Sequence, residues 1–109
     1  MKSGELKHRG SVQHNVAAQD ELGSFGPPDW REVTKRWMKI EPIVGRELMA
    51  ALAEKSGVTH RISMRYYAGL DVKHRIVHAG VIYEFVDVKH IDMNYKKTEV
   101  QARTGVSNG

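Results

Sequence analysis

The sequence predicts a mainly β fold: a small single-domain β-barrel of about six strands, with one short helix inserted between the second and third. Three observations point there. Val, Ile and Thr recur in short alternating runs, ten glycines and three prolines punctuate those runs, and one segment around residues 47–55 carries helical spacing. A chain of 109 residues supports one modest core. That domain is expected over residues 6–103, with residues 1–5 and 104–109 as polar tails.

The first strand is expected at residues 9–14, where Val12 points inward and Gly10 interrupts the pattern. From 15 to 30 the periodicity gives way to a long loop whose Gly, Pro and Asp residues specify turns; loops of that length are usually functional or mobile, and this one is expected to order on a partner. A second strand at 35–41 sets Trp37, Lys39 and Glu41 on one face and Met38 and Ile40 on the other, until Pro42 removes a ladder donor. In the helical segment Leu48, Met49 and Leu52 share a face, Ala50, Ala51 and Ala53 favour helix, and Gly57 stands where a C-terminal cap belongs. The third strand, 58–67, places His60, Ile62, Met64 and Tyr66 opposite Thr59, Arg61, Ser63, Arg65 and Tyr67. After a turn at residues 68–71, residues 75–78 and 81–88 flank Ala79-Gly80 as a tight hairpin. A turn at 92–96 leads into residues 97–103, where Thr98, Val100 and Ala102 oppose Lys97, Glu99, Gln101 and Arg103.

Composition bounds the chemistry. The net charge of +4 and a pI near 9.5 favour anionic partners, yet the cations are scattered among acids, as on a solvated face. With no cysteine there is neither a disulfide framework nor a thiolate zinc site. The first five residues lead into no apolar stretch, and no run reaches membrane-spanning length, so neither an exported nor a membrane chain is expected. The six histidines show no HExxH or other metal-ligand spacing, the glycines form no phosphate-binding loop, and no serine sits in a nucleophile elbow. No enzyme, metal or cofactor is expected. His60, on a strand face, reads as a hydrogen-bonded packing residue.

The informative stretch is residues 43–57, an excursion between two strands. Glu47 suits the helix N-terminus, whereas Arg46 opposes the macrodipole there and calls for an acidic partner: Glu41, Glu47 or a neighbouring subunit, with solvent as the remaining alternative. Leu48, Met49 and Leu52 require cover from their own barrel or an adjacent subunit. Arg61 and Arg65 share a strand face and form either a basic stripe towards DNA or an acidic ring partner, or a solvated surface. For Trp30 and Trp37, packing is favoured over stacking on bases.

In order and spacing, Leu6-Lys7-His8-Arg9, Gln13, Asp20-Glu21-x-Gly23, Trp30, Trp37, Glu41-Pro42-x-x-Gly45-Arg46-Glu47, Thr59-His60-Arg61-Ile62, Tyr66, Gly69-Leu70, Arg75, Gly80 and Asp92 resemble the tailed-phage head closure proteins, also called head-tail joining proteins, adaptors or stoppers. The resemblance spans roughly residues 4–103. It departs at Gly10-Ser11, where the family has a β-branched run, and at Tyr67-Ala68, where an Arg-Pro-like pair is common. It implies a non-enzymatic structural protein of the head-tail neck of a phage or prophage virion, assembled in the host cytoplasm as a ring of its own copies. The portal and adaptor would lie above, a tail terminator or completion protein below, and packaged DNA would be held non-specifically in the channel. By the same analogy, residues 43–57 aim at that channel through Ile43, Val44, Leu48, Met49 and Leu52. Glu41, Arg46, Glu47, Trp30 and Trp37 become candidates for the subunit or neck interface. The alternatives are a nucleic-acid-binding small barrel, favoured by the basic pI, and a tail terminator or completion protein of the same neck.

Overall fold

A computed structural model describes residues 5–17, 26–91, 93 and 96–104. Six strands, β1 (His8–Asn15), β2 (Trp30–Pro42), β3 (His60–Arg65), β4 (His74–His78), β5 (Val81–Ile91) and β6 (Lys97–Arg103), close into an antiparallel barrel in the order β1-β2-β3-β6-β5-β4. One helix, α1 (Gly45–Glu54), lies between β2 and β3. Closure leaves no open sheet edge, which suits a chain whose strands are short.

Inward positions fill the barrel with Val12, Met38, Ile62, Met64, Leu70, Ile76, Tyr83, Phe85, Val100 and Ala102, and Ile40, Tyr67 and Val88 pack against them. On β6 the alternation holds along the whole strand, with Thr98, Val100 and Ala102 buried. The β4–β5 hairpin turns through Ala79 (φ 51°) and Gly80 (φ 79°), both in the left-handed region that a two-residue primed turn requires. Gly10 is a different case. A Cβ there would lie 2.8 Å from the Met38 sulfur and 2.9 Å from Ile76 Cγ2, so the residue that seems to interrupt β1 is what lets two core side chains meet over the strand.

Several element bounds differ from expectation for identifiable reasons. β2 begins at Trp30, five residues early, because a bulge opposite Val12 and Gln13 shifts the register and breaks the two-residue period. A second bulge, between Phe85 and Asp87, moves the inward face of β5 from Phe85 to Val88 and carries the strand on to Ile91. β3 stops at Arg65. Beyond it the parity lapses, and Tyr67 joins the core in place of the expected Tyr66, its N–H donating to Thr98 Oγ1 at 2.8 Å. Ser63, expected on the outer face, is buried in the ladder between its cross-strand partners Lys39 and Glu99. The helix starts two residues early and is closed by Lys55 (φ 56°), not Gly57, with Ser56 N–H donating to Ala51 O. Of the expected loop at 15–30, residues 18–25 lie outside the described residues, as do most of the turn at 92–96 and of the tail at 104–109.

Candidate functional site

Two neighbouring strands and the start of α1 build the site. Glu41 on β2 and Arg61 on β3 are direct cross-strand partners, and Glu47 in the first helical turn reaches the same guanidinium. Arg61 Nε donates to Glu41 Oε1 at 3.2 Å and Nη1 to Glu47 Oε1 at 2.5 Å, while Lys39 Nζ lies 3.7 Å from Glu41 Oε2. The Glu47 hydrogen bond raises the Arg61 pKa, burial opposes it and Glu41 adds to the rise, leaving the guanidinium more firmly charged than a free arginine. Each pair is partly solvated and worth no more than about 1 kcal/mol. Together they clamp the helix to the barrel by charge where apolar packing is thin.

Arg46 is exposed and makes no ion pair among the described residues, since Arg61 has taken both acids that the sequence offered it. Arg61 is correspondingly not a free basic residue, and Arg65 lies on the same face with its side chain exposed to solvent. Trp30 is half-buried with the Arg75 guanidinium 4.3 Å over its ring. Trp37 departs from the packing expectation. It is 55% exposed, because it shares the outward parity of Lys39 and Glu41. His60 packs edge-on to Tyr83 and its Nδ1 lies 2.9 Å from Thr59 Oγ1.

Of the two covers open to the helix stripe, its own barrel is not the one used. Glu47, Ala50, Ala51 and Glu54 face the barrel across a cleft of about 150 Å³ floored by Ile43 and Val58, both buried. The apolar stripe faces away. Val44 is 70% exposed, Met49 68%, Leu52 65% and Leu48 37%, and no helix residue is buried. Ile43 therefore parts company with the other four excursion residues, held inward by its N–H donating to Thr59 O at 3.0 Å. Sequence reasoning grouped the stripe but could not orient it. It also passed over Arg36, whose place at an inward position between Thr34 and Met38 was the available signal.

The barrel is shared with solved structures. The solution structure of protein SF1141 from Shigella flexneri 2a superposes with a TM-score of 0.72 at 19% identity, covering 98% of this chain and 99% of that one. A chain from the virion of the native gene transfer agent particle superposes with a TM-score of 0.65 at 15% identity, covering 94% and 97% respectively. At these identities the likeness is one of fold. No curated protein sequence matches the chain significantly. The sequence profile of one family, described as phage head completion protein, matches residues 1–105, nearly the whole length, and the chain belongs to that family.

Proposed function

We propose that this structural protein of the phage head is a component of the head-tail connector, assembling as a ring below the portal and adaptor, retaining the packaged DNA and presenting the surface to which the tail attaches. Family membership supports the virion setting, and the fold shared with a chain of a gene transfer agent virion agrees with it. One observation carries the ring. A helix that turns Leu48, Met49, Leu52 and Val44 away from its own barrel leaves an apolar ridge that neighbouring copies would cover around a common axis, with the excursion 43–57 directed at the channel. Trp37 on the outer wall, the exposed Arg46, the Glu41–Arg61–Glu47 clamp and Trp30 complete the candidate contacts between copies or with the rings above and below. Repetition around a closed ring makes such modest contacts sufficient, because each one formed raises the effective concentration for the next.

Negative-stain microscopy of a lysate from the phage or prophage lacking this gene tests the proposal. Free tails beside tailless heads, many emptied of DNA, are the expected result. Intact virions would overturn it and bring the nucleic-acid-binding reading forward.

A further inference from the structure

Arg36 is an inward-facing cation of β2, set across from Gly10 in the β1–β2 ladder. Its guanidinium lies 4.4 Å over the Tyr67 ring and lines an open groove of about 480 Å³ with Val33, Thr34, Tyr66, Tyr67 and Ala68. The arrangement is unusual within this chain. Arg31, Arg61 and Arg103 pair with carboxylates and Arg75 donates to Gln13, whereas the half-buried Arg36 has no hydrogen-bond acceptor among the described residues, and its Nη1 is enclosed without one. Stacking occupies the face of a guanidinium and leaves its in-plane N–H groups unused, in the fork geometry that matches a carboxylate. A partly desolvated charge with unmet donors is costly until an oxyanion arrives.

We infer that this groove is a receptor for the carboxylate of an Asp or Glu side chain presented by a partner protein chain. Charge complementarity favours an anion, since no acid lines the groove among the described residues. The walls favour protein over nucleic acid. Arginine and tyrosine are residue types enriched in interface hot spots, and among the described residues no second cation lines the groove to follow a phosphate backbone. The inference needs only a partner chain and stands whether or not that partner is another copy in a ring.

The test is NMR of the intact protein, reading the Arg36 Nε–Hε and Tyr67 ring signals at constant ionic strength. The probe is the blocked tripeptide Gly-Glu-Gly, with Gly-Gln-Gly as its neutral control. A saturable shift with a dissociation constant on the order of millimolar is expected from the Glu peptide alone. It should vanish in Arg36→Gln. Arg36→Lys serves as a second variant, keeping the charge but losing the fork, and should weaken binding about tenfold. Arg36 and Tyr67 signals that do not respond, or that respond equally to both peptides, would refute the receptor. A short oligothymidylate that moves them at lower concentration than the Glu peptide would assign the groove to phosphate and overturn the carboxylate reading.

Discussion

Replacing Met49 and Leu52 together by glutamine separates the helix's contribution to its own fold from its contribution to assembly. Full burial of a Met or Leu side chain is worth about 1.5–3 kcal/mol. These two are 68% and 65% exposed, so only about a third of that gain, roughly 0.5–1 kcal/mol each, is realised within one copy. Glutamine matches Leu and Met in helix propensity, and its stem recovers part of the covered surface. The double variant should therefore lose less than about 2 kcal/mol in urea unfolding, with an unchanged denaturant slope. By contrast Ile62→Ala, fully buried in the barrel, should cost about 2–5 kcal/mol. In a phage complementation assay the same stable double variant should fail to restore tailed particles. A loss above about 2 kcal/mol would refute the reasoning, because it would mean that the stripe packs on its own barrel.

Three further perturbations probe the scaffold. Gly10→Ala places a methyl group against the Met38 sulfur and Ile76 Cγ2, so overpacking of about 1–3 kcal/mol should exceed the 0.5–1 kcal/mol gained by removing a strand glycine, and an unchanged or raised melting temperature would show that Met38 yields freely. Ala79→Asn puts a residue tolerant of the left-handed region at φ 51° and should raise the urea midpoint by the equivalent of about 0.5–1 kcal/mol; no gain would mean that the turn is unstrained. At Asp71 burial raises the pKa, but the Lys73 N–H, the His74 hydrogen bond and the charges of His74 and His14 together outweigh it, leaving the carboxyl below its ordinary value. A depressed pKa stabilises the fold above the unfolded value of about 3.9 and loses that contribution as pH falls through the folded value. The stability difference between wild type and Asp71→Asn, followed by urea midpoints, should therefore be present at neutral pH and shrink below about pH 4; a difference independent of pH would contradict the assignment.

What could be read from the residues, and what could not, follows from the range over which each signal acts. β6 was legible because Thr98, Val100 and Ala102 alternate without a bulge, and the β4–β5 turn because Ala79-Gly80 specifies its own backbone. The beginning of β2 was not, since the bulge opposite Val12 depends on what lies across the ladder, and a two-residue period cannot survive it. The same limit governs the site. That Leu48, Met49 and Leu52 share a stripe is a property of α1 alone, but its direction is set by Arg61, fourteen residues beyond Glu47, which draws the acidic side of the helix onto the barrel. Small Ala50 and Ala51 on that side leave little apolar attraction to oppose it. Arg36 shows how such a feature could be recovered from sequence. Once Met38 and Ile40 define the inward parity of β2, the same parity places an arginine inside, and an inward cation in a barrel strand requires either an acid of its own or one supplied by a partner. No acid of this chain meets it among the described residues, so the parity of one strand and the absence of a counter-charge together direct attention to the surface where a second protein would dock.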